Sequence, residues 1–105
     1  MNQMGNFVKQ AKKMQEKMEQ LEKELAESLI EIEAAGGAVI IKISGDVMLN
    51  AIKINPDVID KNDAEGLEDL ILTAVNHAIK EAKAFSDEKT KSVTAGLKMP
   101  GGFNF

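Results

Sequence analysis

Hydrophobic residues near the start of the chain fall at Met4, Phe7, Ala11, Met14, Met18, Leu21 and Leu25, in steps of 3, 4, 3, 4, 3 and 4. That spacing predicts one long helix over roughly residues 3–27, with a narrow heptad seam suited to pairing with another helix. The intervening residues are mostly Lys, Glu and Gln, good helix formers, and no proline interrupts them. The period then drops to 2. Over residues 29–35, Ile30 and Ile32 alternate with Glu31 and Glu33, the pattern of a half-exposed strand. Gly36-Gly37 follows as a hairpin turn, since both positions tolerate a positive φ. Residues 38–44 form a second strand with Val39, Ile41 and Ile43 on one face, and Gly45-Asp46 makes another turn. A third strand is predicted over residues 47–54. Its apolar parity slips between Val47/Leu49 and Ile52/Ile54, which places a β-bulge near Asn50.

Pro56 cannot donate to a ladder and ends the sheet, and Asp57 or Asp63 is placed to cap a helical turn. A second long helix is predicted from about Ala64 to Phe85, with a wide apolar stripe from Leu67 through Ala74, Ala78 and Ala82 to Phe85. Acidic residues crowd its start, and Lys80 and Lys83 stand toward its end, complementing the helix dipole. The expected fold class is therefore α+β: a long N-terminal helix, a three-stranded antiparallel β-meander and a long C-terminal helix. All of it belongs to a single domain over residues 1–105, with residues 92–105 a flexible, Gly- and Pro-containing tail. A lone three-stranded sheet has two open edges and an uncovered face, so a two-fold homodimer is expected to close it. The pattern leaves open whether the heptad seam pairs within one subunit or between two.

Charge changes the picture more than composition does. The chain has 105 residues and a net charge of −4, which at first sight argues against a polyanionic partner. Its distribution is uneven, however. Residues 1–18 carry Lys9, Lys12, Lys13 and Lys17 against Glu16 alone, and residues 70–105 carry five lysines against three acids. Residues 19–35 and 55–69 hold six acids each against one lysine. Both ends are thus basic and the middle acidic. All thirteen basic residues are lysine, so arginine, the usual bidentate reader of guanine, is missing. There is no cysteine, no apolar run near the roughly 18 residues of a membrane span, and no apolar leader at the N-terminus; a cytoplasmic location is expected, with no membrane partner.

Candidate chemistry is sparse. His77 is the only histidine, and it reads as a solvent-facing or boundary residue of the second helix. Asp57, Asp60 and Asp63 lack the spacing of a calcium loop, and no phosphate-binding loop, dinucleotide fingerprint or nucleophile motif is present. No catalytic residue, metal, cofactor or small-molecule substrate is expected. Lys9, Lys13 and Lys17 lie four apart on one side of the first helix, with Lys12 beside them. Like charges at that spacing cost an isolated helix about 0.2–0.5 kcal/mol per pair, a cost that a phosphate backbone would offset. With no Trp or Tyr and an aliphatic sheet, no stacking platform for single-stranded bases can be assembled, so duplex backbone contact is the better-supported nucleic-acid reading. The alternative is a protein–protein adaptor that uses the heptad seam and acidic middle, the lysines serving only solubility.

Five segments in order resemble the YbaB/EbfC family of bacterial nucleoid-associated proteins. They are Met14-Gln15-Glu16-Lys17-Met18; Gly36-Gly37 leading into Val39-Ile40-Ile41-Lys42-Ile43-Ser44-Gly45; Ile52-Lys53-Ile54-Asn55-Pro56; Leu67-Glu68-Asp69-Leu70-Ile71 with Ala74-Val75-Asn76-His77-Ala78; and Gly96-Leu97-Lys98-Met99-Pro100-Gly101-Gly102. The resemblance covers nearly the whole chain. It implies a homodimer with projecting helical arms that binds duplex DNA with limited sequence preference, acts in nucleoid organisation and gene expression, and resides in the cytoplasm at the nucleoid. DNA contacts in the family are attributed to the first and last helices. On this chain that implies Lys9, Lys12, Lys13 and Lys17, then Lys80 and Lys83, with Lys89 and Lys91 beyond them. The all-lysine composition and acidic total depart from the family's mixed basic helices, and imply a low, steeply salt-dependent affinity.

Overall fold

The computed structural model describes residues 3–95. Its elements are α1 (Gln3–Glu27), β1 (Leu29–Ala34), β2 (Val39–Ser44), β3 (Leu49–Ile54) and α2 (Ala64–Ala95), with single 3-10 turns at Ala35–Gly37 and Pro56–Val58. The strands form one antiparallel sheet in the order β1-β2-β3. The helix, meander and helix read from the periodicity are all present.

β2 is the centre of the core. Val39, Ile41 and Ile43 are fully buried on one face of it. Their register partners continue that face, Ala34, Ile32 and Ile30 on β1 and Ile54, Ile52 and Leu49 on β3. Burying each of the three β2 side chains contributes about 1.5–3 kcal/mol relative to leaving it in water. Above them runs α2, which meets the sheet through a ridge of fully buried alanines, Ala74, Ala78 and Ala82. The four-residue spacing keeps the ridge on one side of the helix, and the small side chains let its backbone approach the branched residues of β2. The opposite sheet face is mixed, with Glu31 paired across from Lys42 and Leu29 and Ile40 beside them.

The bulge expected near Asn50 is there: Lys42 faces Ala51 and Ile43 faces Leu49, so Asn50 is the extra residue. Three boundaries differ from expectation. The β1–β2 connection is longer than a two-residue turn, because Ala35 joins Gly36 and Gly37 at positive φ (53°, 67° and 91°) and the chain needs Ala38 to re-enter the sheet. β3 begins at Leu49 because Val47 is spent in the preceding turn at φ 65°. The largest difference is α2, which continues ten residues past Phe85 to Ala95. Its apolar stripe fades there, but the Ser and Thr residues replacing it fold back onto the helix. Thr90 Oγ1 donates to the Ser86 carbonyl at 2.7 Å, and Thr94 Oγ1 to the Thr90 carbonyl at 3.0 Å. Residues 92–95, expected in the flexible tail, are therefore helical; the rest of that tail, 96–105, lies outside the described residues.

α1 and the last turns of α2 run antiparallel beside each other. Leu21 and Leu25 are buried at this contact. Gly45 closes its lower end: its N–H donates to the Ser28 carbonyl at 2.9 Å, tying the end of α1 to the β2–β3 turn. A Cβ at Gly45 would stand 3.0 Å from both the Leu25 carbonyl oxygen and Phe85 Cε1, so only glycine allows α1, α2 and the turn to converge. The result is slender, 74 Å by 23 Å by 17 Å, with a radius of gyration of 20.1 Å against about 13 Å for a compact 100-residue domain.

Candidate nucleic-acid interface

The length of the molecule comes partly from α1. Glu24 pairs with Lys89, and Lys17 and Leu21 share a shallow groove with Ser92 and Val93. By that register residues 3–16 have no counterpart on α2 among the described residues, and every residue from Met4 to Lys13 is exposed. The first half of α1 is an arm of about 20 Å at 1.5 Å per residue.

Lys9, Lys12, Lys13 and Lys17 are all exposed on this arm. At 100° per residue Lys9, Lys13 and Lys17 form one drifting row with Lys12 adjoining it; Lys9, Lys12 and Lys13 lie on the side away from the seam, while Lys17 reaches the seam's edge beside Leu21. The structure thus keeps together the four lysines that the sequence placed together. Those of α2 are more scattered. Lys80, Lys83 and Lys91 are exposed, on positions turned away from the alanine ridge. Asp87 lies one helical turn from both Lys83 and Lys91 and dilutes their charge. Lys91 precedes the Ser92–Val93 turn that lines the groove but is itself turned away from it, whereas Lys80 and Lys83 lie back along α2, above the sheet.

Lys89 differs from the others. It points toward α1, where Nζ stands 3.8 Å from Glu24 Oε2 and 5.8 Å from the centroid of the Phe85 ring. Its charge faces an acid of the neighbouring helix within the chain. The signal was present in the sequence: Lys89 is four residues past Phe85, on the continuation of the buried stripe.

The acidic cluster of residues 57–69 is kept at a distance. About 40 Å of helix separates Lys91 from the start of α2, where Asp60 and Asp63 act as local caps. Asp60 Oδ1 accepts from the Asn62 N–H at 2.9 Å and Asp63 Oδ1 from the Gly66 N–H at 3.1 Å. Of the two aspartates considered as caps, Asp63 serves α2. Asn55, not Asp57, caps the turn after β3, accepting from the Asp57 N–H at 3.0 Å. His77 is exposed on α2.

A second surface was not legible beforehand. α2 lies over β1 and β2 and leaves β3 bare, so that Leu49 and Ile52 are 39% and 44% exposed although they point to the core face. Leu72, Val58 and Ile59 are also exposed.

The fold and these surfaces define a small α+β protein with a helical arm basic along one side and an apolar face left open. Comparison with known proteins makes the assignment specific. The profile of the YbaB/EbfC DNA-binding family matches residues 1–97, and the chain belongs to that family. It is 42% identical over 100 residues to a nucleoid-associated protein of Thermoanaerobacter pseudethanolicus, covering 95% of this chain and 90% of the relative. A nucleoid-associated protein of Clostridium novyi is 44% identical over 100 residues, covering 95% and 88%. One of Bartonella bacilliformis is 41% identical over 103 residues, covering 98% and 95%. Among solved structures, an uncharacterized protein of Helicobacter pylori shares the fold with a TM-score of 0.67 at 20% identity, over 92% of this chain and 95% of that one.

Proposed function

We propose that this chain is a nucleoid-associated protein that works as a homodimer and holds duplex DNA through lysine–phosphate contacts, with limited sequence preference. Family membership and the names of its relatives support the DNA-binding, non-enzymatic class and a nucleoid location in the cytoplasm. Among the described residues no helix is long and apolar enough to cross a membrane.

One observation carries the mechanism: Lys9, Lys12, Lys13 and Lys17 stand exposed along a projecting helix. Lysine is a flexible point charge. It fits a phosphate without fixing a base, whereas arginine's planar fork would read guanine. A chain with thirteen lysines and no arginine is suited to the backbone rather than to sequence. Binding of this kind releases counterions, so the affinity falls steeply with salt. The homodimer is supported by the bare face over β3, since a monomer rarely leaves core-facing Leu49 and Ile52 in water.

The test is a salt-titrated binding measurement on random-sequence duplex. The Lys9→Glu, Lys12→Glu, Lys13→Glu triple variant is expected to weaken binding on all sequences alike. It should also flatten the slope of log affinity against log salt by about 0.9 for each phosphate that is no longer neutralised. Unchanged binding by that variant would remove α1 from the interface.

A further inference from the structure

The side of the arm away from the lysines has no assigned task. Met4 is 83%, Phe7 65% and Val8 56% exposed, and with Ala11 and Met14 they continue the seam whose far end, Leu21 and Leu25, is already buried against α2. An apolar stripe of this width on a free helix fits another helix.

We propose that this half-seam is an assembly surface for a second copy of the same half-seam, so that neighbouring molecules on one duplex clasp arms. The inference rests on the reading of α1 as the DNA-binding arm. Three features favour self-pairing. First, the residues are self-complementary in an antiparallel, two-fold arrangement: centred between Phe7 and Ala11, it sets Phe7 against the other copy's Ala11, and Met4 against its Met14. Large thus meets small at the centre, as interdigitating seams require. Second, the flanking positions suit contact between identical surfaces. With Met4, Phe7, Ala11 and Met14 at the apolar heptad positions, Val8, Gln10 and Gln15 flank the paired stretch and are uncharged, Lys9, Lys12 and Lys13 fall on the outer positions, and the next flanking residue, Lys17, lies beyond Met14. Two copies therefore meet without opposing lysines and keep their basic rows turned outward. In the buried half of α1 the flanking residues are instead Glu22 and Glu24, and Glu24 is met by Lys89 of α2. Third, the surface is continuous with the α1–α2 contact and begins where the described part of α2 stops covering it.

A seam about two heptads long buries less than the roughly 1,200–2,000 Å² of a stable complex. The contact is weak between free molecules and becomes significant when a duplex holds copies at high effective concentration. Its signature is cooperative DNA binding.

Two measurements test this. On a long duplex the wild type should bind with a Hill coefficient above 1, and Phe7→Asp should reduce it to 1 and weaken binding by about tenfold. On a duplex too short for two copies, Phe7→Asp should match the wild type within about twofold. An unchanged Hill coefficient in Phe7→Asp overturns the inference. The second measurement needs no DNA and so separates this proposal from the reading beneath it. The chain has no cysteine, so a concentrated mixture of Phe7→Cys and Ala11→Cys proteins can be oxidised to report the register. They should cross-link to each other, while Met4→Cys alone, whose thiols would be about 15 Å apart along the paired helices, should not. No cross-link in the mixture, or equal cross-linking by Met4→Cys, overturns it.

Discussion

The two halves of α1 share one heptad rhythm and have opposite fates. From Lys17 to Glu27 the seam is buried through Leu21 and Leu25, and the stretch carries four glutamates, of which Glu22 and Glu24 flank the seam. From Met4 to Lys13 the same rhythm is wholly exposed, and the charged residues are lysines. What separates them is the reach of α2, whose Ser92–Val93 turn lies beside Lys17 and Leu21. A hydrophobic repeat thus specifies that a partner helix is wanted; it does not specify that the same chain supplies one.

Substitutions along this helix break the comparison most sharply. Leu25→Asp places a charge among the buried residues where α1, Gly45 and α2 meet, and should cost about 3–5 kcal/mol, read as a fall in the denaturant midpoint. Phe7→Asp, on the same face of the helix, should leave that midpoint unmoved, because its side chain is already in water. The triple lysine variant should likewise keep its stability while binding DNA more weakly, which would separate the part of α1 that holds the fold from the part that acts. Gly45→Ala tests the junction between them. The added methyl must displace the Leu25 carbonyl or the Phe85 ring, and about 1–3 kcal/mol of stability should be lost by overpacking. Smallest of all is Lys89→Met. The Lys89–Glu24 pair is substantially exposed, at 36% and 44%, so its removal should change stability by no more than about 1 kcal/mol. Because Lys89 is turned toward α1, the variant should also bind DNA more nearly like the wild type than Lys13→Glu does. A large drop in affinity in Lys89→Met would return that residue to the basic surface.

How much of this was readable beforehand depends on whether a residue's task was local. Ile30, Ile32, Val39, Ile41 and Ile43 declared their strands by alternation alone, and the parity slip located the bulge at Asn50. The alanine ridge of α2 was equally visible as part of a stripe. The last ten residues of α2 were not, because Thr90 and Thr94 satisfy themselves by bonding to the preceding turn, and such hydroxyls look the same in a loop. The site divided in the same way. The four lysines of α1 are grouped by helix period and were found together. Lys89 was named with them because the resemblance implied contacts from the last helix, yet it is turned toward Glu24 on the neighbouring helix and over Phe85 one turn back on its own; only its place on the continued stripe hinted at that. The bare surface of β3 was equally hidden, since it reflects where α2 crosses the sheet.

The slenderness of the molecule has a consequence for mapping it on chromosomes. At 3.4 Å per base pair, a described body 74 Å in its longest dimension would shadow about twenty-two base pairs per copy from a nuclease. A longer protected footprint would therefore count several chains laid end to end, and its increments would measure the spacing between them.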